Sequence, residues 1–230
     1  MSIKVLLVED EVAIRKFTKI NLERAGFEIY EAGTGEEGVE VAFRERPEIV
    51  ILDIMLPGID GYEVCKILRT QMPEIGIIML TAKSQEIDKI LGLEQGTDDY
   101  LVKPFNPQEL VLRIKSLIRR LDYKNEKPVN HDSLEDGPFK LDFYSKRLLK
   151  DGKSLDLTPT ELAIVKIFLM NKGRAITREE LMELAWGDNF SGDNKIIDVN
   201  IRRIRSKIEE NPAKPIYLQT VWGVGYRWGD

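Results

Sequence analysis

The first half of the chain alternates between two hydrophobic periods. Short apolar runs rich in β-branched residues fall at 3–8, 27–31, 48–52, 75–80 and 98–102, and apolar positions at helical spacing fill about 12–25, 35–46, 60–72, 84–94 and 106–121. Runs such as Ile49-Val50-Ile51-Leu52 carry no polar alternation, which is how a strand buried on both faces reads. Strand and helix in strict alternation predict an α/β domain, a five-stranded parallel sheet wrapped doubly by helices. The punctuation agrees. Gly26 closes the first helix, Thr34 caps the second, Pro57-Gly58 turns the chain and Asn106-Pro107 opens the last helix.

The periodicity lapses between Asp122 and Gly137, a polar stretch with Pro128 and the only histidine, His131, which reads as a flexible linker. The expected division is therefore 1–121, a linker at 122–137, and a second domain at 138–230. That domain belongs to another class, α+β. Short strands around Phe139–Leu141, Arg147–Lys150 and Ser154–Leu157, with a turn at Asp151-Gly152, precede three helices. Thr158-Pro159-Thr160-Glu161 is a capping box that launches Leu162, Val165, Ile167, Phe168 and Leu169, and Thr177 to Glu180 repeats the device for a helix ending near Trp186. A loop with Gly187 and Gly192 leads to a basic helix, and Tyr217–Val221, Trp222-Gly223-Val224-Gly225 and Tyr226–Trp228 form a hairpin. Helix, helix, basic helix and hairpin is the order of a winged helix-turn-helix.

Composition narrows the class. The 230 residues are 43% hydrophobic, enough for two cores, and one cysteine, Cys65, at a helical core position, excludes an internal disulfide. No apolar run approaches 18 residues and no charged-then-apolar leader follows Met1, so membrane insertion and secretion are not expected and a cytoplasmic location is. The net charge of −5 resides in residues 1–121, with 16 basic and 21 acidic side chains, while 122–230 is neutral with 18 of each. That neutrality hides a polarised helix. Lys195, Arg202, Arg203, Arg205 and Lys207 stand against Asp198 alone, and Ile197, Ile201, Ile204 and Ile208 recur at helical spacing, so one face packs while another confronts phosphate.

The candidate chemistry lies at strand ends. Asp53 closes the third apolar run, Glu9-Asp10 follow the first, Thr81 follows the fourth and Lys103 the fifth. Parallel strands bring these residues to one sheet edge, where open α/β sheets place their sites. Clustered carboxylates repel unless a hard cation lies between them, and an oxygen-rich set suits Mg²⁺. Asp53 is the candidate nucleophile of a magnesium-assisted phosphoryl acceptor. The absence of histidine near it disfavours His-based acid–base or triad chemistry.

In order along the chain, Val8-Glu9-Asp10, Leu52 to Gly61, Leu80-Thr81-Ala82, Asp98 to Phe105, Leu157 to Glu161, Ile197 to Arg205 and Thr220 to Arg227 resemble the motifs of response regulators of two-component signalling, of the OmpR/PhoB type. The resemblance spans both domains. It implies a DNA-binding transcription regulator in which a sensor histidine kinase phosphorylates Asp53. The enzymology is limited to self-catalysed phosphotransfer and slow self-dephosphorylation. It also implies Mg²⁺ held by Asp10, Asp53 and the Met55 carbonyl, with Glu9 acting through water. Lys103, joined to Pro104 by a bond that the resemblance implies is cis, would pair with the phosphoryl group, Thr81 would donate a hydrogen bond to it, and Met55 and Lys83 would flank it. Switching would carry Thr81 inward with Tyr100 behind it. That movement promotes a receiver homodimer through charged residues Lys89, Asp98, Asp99, Glu109, Arg113, Lys115, Arg119 and Arg120, each exposed pair being worth about 0–1 kcal/mol. In the effector half, Arg203 would read a base, steadied by Asp198, with Val199 on a thymine methyl. Lys195, Asn200, Arg202 and Arg205 would contact phosphates, and the wing at Trp222 and Tyr226 would approach a minor groove. Trp222 departs from members with arginine at the wing tip, and packing is its other reading. Promoter half-sites are expected as direct repeats, and Gly187–Asn194 resembles a loop that touches RNA polymerase in some members.

Two other readings compete. A haloacid-dehalogenase-type hydrolase also uses a strand-end Asp but needs a second acid two residues on, where this chain has Met55. A phosphorylation-independent regulator with a structural pocket is opposed by the complete set of acids, Thr81 and Lys103.

Overall fold

The computed structural model describes residues 2–82, 96–121, 133–187 and 195–229. The helix expected at 84–94, most of the linker including His131, and the loop from 188 to 194 lie outside the described residues. By internal packing the chain divides into two compact units, residues 1–118 and 119–230.

The first unit holds β1 (Lys4–Val8), α1 (Val12–Arg24), β2 (Glu28–Ala32), α2 (Gly35–Glu45), β3 (Ile49–Asp53), α3 (Gly61–Gln71), β4 (Gly76–Ala82), β5 (Asp99–Lys103) and most of α4 (Pro107–Leu121). The strands form one all-parallel sheet in the order β2-β1-β3-β4-β5. Every residue of β3 is buried, as its unbroken apolar run predicts. Val50, Leu52, Ile77 and Met79 pack with Val41, Val64, Cys65 and Leu68 in one core. The strand order reverses at β1, so the crevice between the carboxyl ends of β1 and β3 is the switch point where such sheets bind ligands. Thr34 accepts from the Glu37 N–H and Asp60 from the Glu63 N–H, fixing where α2 and α3 begin.

The second unit starts with a four-stranded antiparallel sheet, β6 (Ser133–Asp136), β7 (Phe139–Asp142), β8 (Arg147–Lys150) and β9 (Lys153–Leu155). The expected linker therefore ends before 133: Ser133–Asp136 is a strand paired with β7, and the Trp228 indole N–H donates to Asp136 at 2.7 Å. Four polar-rich residues next to a Gly turn offered too short a pattern to read as a strand. Asp151 and Gly152 both take positive φ, 50° and 76°, the backbone of the expected tight hairpin. The helices are α5 (Pro159–Met170), α6 (Arg178–Trp186) and α7 (Lys195–Ile208), and β11 (Leu218–Val221) and β12 (Gly225–Trp228) form the wing. A two-residue strand, β10 (Ile176–Thr177), joins β12 and is too short to show alternation in sequence. The Thr158–Glu161 capping box closes reciprocally. At Thr177 the hydroxyl accepts from the Glu180 N–H, but the Glu180 carboxylate pairs with Arg174 instead of reaching back. Phe139, Phe168, Trp186 and Trp228 are the largest buried side chains, with Phe139 edge-on to Trp228 at 5.4 Å.

Candidate phosphoacceptor pocket and nucleic-acid interface

Strand ends deliver the pocket. Glu9 follows β1, Asp53 ends β3, Thr81 lies near the end of β4 and Lys103 ends β5. The Lys103 ammonium bridges two carboxylates, 2.6 Å from Asp53 Oδ2 and 2.7 Å from Glu9 Oε2. The Met55 N–H donates to Asp53 Oδ1 at 3.2 Å, so both acceptor oxygens are oriented. Glu9, Asp53 and Thr81 are buried, Asp10 is exposed, and Met55 stands at the rim with 74% exposure. Lys103–Pro104 is cis. Burial pushes the Glu9 carboxyl up, and the charge of Asp53 adds to it. Burial pushes Lys103 down, but hydrogen bonds to Asp53 and Glu9 more than reverse this and hold its pKa above that of an ordinary lysine.

Glu9, Asp10 and Asp53 present carboxylate oxygens within 4.8 Å of one another. Three carboxyl groups facing one ammonium crowd acidic oxygens together, which a divalent cation would offset. An all-oxygen donor set with one exposed member fits a hard, partly hydrated cation. One residue that sequence reasoning missed supports this loop: the Arg15 guanidinium donates to the carbonyls of Glu9 and Asp10 and faces Glu31. Nothing in the spacing of α1 marks Arg15 as different from other solvent-face cations.

Thr81 is buried and its hydroxyl lies 3.4 Å from the Ala82 carbonyl, while Tyr100 is half-buried against the core under the pocket. The charged residues expected on a dimer face need correction. Asp98 is fully buried, ion-paired with Arg69 and accepting the Ile77 N–H at 2.9 Å. Asp99 is also fully buried and pairs at 2.9 Å with Arg113, itself 7% exposed, which also holds Glu109 at 2.7 Å. Arg120 is buried within the second unit with its guanidinium 4.6 Å over the Trp186 ring. These charges serve intrachain pairs because the register of β5 and the phase of α4 turn them inward. Glu109, Lys115 and Arg119 remain accessible, as does Leu112, whereas Lys89 and Lys83 lie outside the described residues.

The basic helix α7 is also phased differently from the expectation. Ile197, Ile201, Ile204 and Ile208 are buried as expected, but so are Asn200 and Arg203. Asn200 donates to the Ile196 carbonyl at 2.8 Å. Arg203 pairs at 2.8 Å with Glu161, a fully buried carboxylate that also holds Lys207 at 2.7 Å and the Thr158 N–H at 2.8 Å. In the free chain Arg203 is thus engaged with Glu161 and Asn200 with its own helix, away from the solvent face expected for a base reader and a phosphate contact. Asp198 does not steady Arg203. It accepts at 2.7 Å from both Arg178 and the Tyr226 hydroxyl. Arg205 donates to the Leu218 carbonyl and to Thr220 at 2.7 and 2.9 Å, clasping helix to wing. Burial pushes Arg205 down, and burial followed by the Asp198 hydrogen bond pushes the Tyr226 phenol up to about 12. Tyr226 is 5% exposed, so it belongs to the clasp. Trp222 is 91% exposed at the wing tip, which excludes its packing role. The solvent face of α7 carries Lys195, Asp198, Val199, Arg202 and Ser206.

A switch-point acidic pocket followed by a winged helix defines a two-domain transcriptional regulator controlled through its first domain. Residues 5–115 match the response regulator receiver domain and residues 152–228 the C-terminal domain of transcriptional regulatory proteins. The chain is 42% identical, over 99% of its length and 97% of the relative's, to the alkaline phosphatase synthesis transcriptional regulatory protein PhoP of Bacillus subtilis. It is 39% identical, over 96% of both chains, to the transcriptional regulatory protein AfsQ1 of Streptomyces coelicolor. A solved structure of DrrB, a Thermotoga maritima OmpR/PhoB homologue, matches over 100% of both chains with 33% identity and a TM-score of 0.53. The chain belongs to the OmpR/PhoB family of response regulators. Among the described residues no helix is long and apolar enough to cross a membrane.

Proposed function

We propose that Asp53 is the phosphoacceptor of this regulator. A carboxylate oxygen of Asp53 attacks the phosphorus of a kinase phosphohistidine, the P–N bond breaks as the O–P bond forms, and the imidazole leaves. Water attack at phosphorus later breaks the carboxylate O–P bond and returns the free carboxylate with release of inorganic phosphate, a slow self-dephosphorylation. The observation that carries the reading is the Lys103 bridge between Asp53 and Glu9, a fixed cation beside the acceptor. Lys103 would transfer its contact to a phosphoryl oxygen and Thr81 would donate to another. Asp10, Asp53 and the Met55 carbonyl would hold Mg²⁺, with Glu9 through water. The ion supplies charge cancellation between acceptor and phosphoryl oxygens.

The added charge, about −1.5 to −2, would draw Thr81 inward, let Tyr100 follow, and favour a homodimer. With Asp98, Asp99, Arg113 and its partner Glu109 engaged within the chain, the exposed Leu112 and Lys115 of α4 are, among the described residues, the ones this face offers for it. Promoter DNA would lie against the solvent face of α7, with Val199 against a thymine methyl, Lys195 and Arg202 on phosphates, and the wing tip at Trp222 toward the minor groove. Paired copies imply direct-repeat half-sites. RNA polymerase is a further partner through the loop starting at Gly187.

Intact-mass measurement with Mg²⁺ and a small-molecule phosphodonor tests the first claim: the wild-type chain gains one phosphoryl group and Asp53→Asn gains none. Selection from random oligonucleotides, with and without beryllofluoride, tests the second: direct repeats emerge and bind more tightly with the mimic. Equal binding in both conditions would favour phosphorylation-independent regulation.

A further inference from the structure

The loop from Ile54 to Asp60 carries Met55 beside the acceptor, and two separate devices hold it. Its near end is fixed by backbone: the Ile54 N–H donates to the Leu80 carbonyl at 3.2 Å, and the N–H groups of Leu56 and Gly61 both donate to the Ile54 carbonyl, at 3.1 and 3.0 Å. Its far arm is held by a side chain from a neighbouring helix. Glu36, in the first turn of α2, accepts the Ile59 N–H at 3.0 Å. A Cβ on Gly58, whose φ is +81°, would lie 2.3 Å from that same Glu36 oxygen, so the carboxylate rests on the bare Cα. Close approach recurs on both sides. A Cβ on Gly35 would lie 2.3 Å from the Ile59 carbonyl oxygen, and one on Gly61 would lie 2.2 Å from that of Asp53. The start of α2, the loop and the end of β3 thus approach one another too closely for a side chain at any of these three glycines. Bonds from its own N–H and that of Ile59 hold the Glu36 carboxyl below the usual range, and a carboxylate at a helix N-terminus is favoured there in any case.

We infer that Glu36 is a positioning residue for phosphoryl acceptance: its bond to the Ile59 N–H fixes the loop on which Met55 stands, and the Met55 N–H orients Asp53 Oδ1. This rests on Asp53 being the acceptor. Glu36 touches neither the acceptor nor the incoming group. It acts through the loop, by holding a reacting geometry that would otherwise be sampled only part of the time. What it needs is an acceptor oxygen at the right reach, so glutamine should replace it and alanine should not.

The experiment uses the full chain with Mg²⁺ and a small-molecule phosphodonor, following phosphoryl gain by intact mass and amide hydrogen exchange across residues 55–59. Glu36→Ala is expected to slow acceptance about fivefold to tenfold and to speed exchange in the loop, as loss of one fixed hydrogen bond would. Glu36→Gln is expected to stay within about twofold of wild type in both readouts, since the amide oxygen can still accept. An alanine variant that loses thermal stability but keeps the wild-type rate overturns the inference, as does a glutamine variant as slow as alanine. Should the alanine variant fail to fold, Glu36→Asp, one methylene too short to reach Ile59, replaces it under the same criteria. A wild-type chain that gains no phosphate refutes the acceptor itself, and unchanged loop exchange in the variants still refutes the role of Glu36 separately.

Discussion

The phosphoacceptor pocket and the recognition helix are both built from charged residues against an apolar scaffold, yet sequence pattern located one and misphased the other. In the first unit every strand runs the same way, so the residue after each strand arrives at the same edge whatever its neighbours do. Glu9, Asp53, Thr81 and Lys103 meet for that reason. On α7 each residue advances the direction of its side chain by about 100°, so a shift of one position carries a guanidinium from solvent into the core. Arg202 and Arg203 are adjacent in sequence, but one faces solvent and the other faces buried Glu161. A parallel sheet edge tolerates imprecise boundaries. A helix face does not.

The sharpest way to break this comparison is at Lys103. If the bridge between Asp53 and Glu9 works in transfer, Lys103→Ala should lower the rate of phosphoryl acceptance by about a hundredfold or more, the cost of removing a fixed charge aimed at a transition state. A rate within threefold of wild type by intact-mass time course, roughly a loss of less than 1 kcal/mol, would reduce the lysine to a structural counterion.

In the second unit the largest effect should fall on stability. Glu161 is fully buried and pairs with both Arg203 and Lys207 while closing the cap of α5. Glu161→Ala should cost about 3–5 kcal/mol, because it removes the buried carboxylate shared by Arg203, Lys207 and the cap of the helix. All three tryptophans, Trp186, Trp222 and Trp228, lie in this unit, so tryptophan fluorescence in urea reads its unfolding within the full chain. A smaller loss separates the two neighbouring arginines. Arg203→Ala should lower the urea midpoint and weaken all DNA sequences in proportion to the unfolded fraction. Arg202→Ala should leave the midpoint unchanged within about 0.5 kcal/mol. It should weaken binding to all sequences and reduce the salt slope by about one. Exchange of those outcomes would restore Arg203 as the DNA contact.

How far the fold was legible follows the same division. Doubly buried β3, the alternation of strand and helix, the capping box at Thr158 and the glycine-turned hairpin each leave a local signature, and among the described residues the boundaries of the expected helices and strands follow within a few residues. What failed was where a tertiary partner decides orientation. Asp98 and Asp99 sit in a motif with no periodicity of their own, and nothing in the sequence says that Arg69, from α3, reaches one and Arg113 the other. Strand β6 is four residues long and owes its place to pairing with β7 and to the Trp228–Asp136 bond, both remote in sequence. Arg15 and Arg178 look like ordinary helix-surface cations until the carbonyls and carboxylates they meet are known.

The smallest effect tests the clasp that replaced the expected pairing of Asp198 with Arg203. Tyr226 is pushed up to about 12 first by burial and then by its hydrogen bond to Asp198. A phenol whose native pKa lies above its unfolded value near 10 contributes stability that is complete below pH 10 and lost as pH rises toward 12. Subtracting the ultraviolet titration of Tyr226→Phe from that of wild type should isolate one phenol ionising near that upper value. In Asp198→Asn the same difference should move toward 10, because the neighbouring negative charge that opposes phenolate is gone while burial remains. A curve unmoved by the asparagine substitution would mean that burial alone sets the phenol, and the contact between recognition helix and wing at this point would be packing with no electrostatic component.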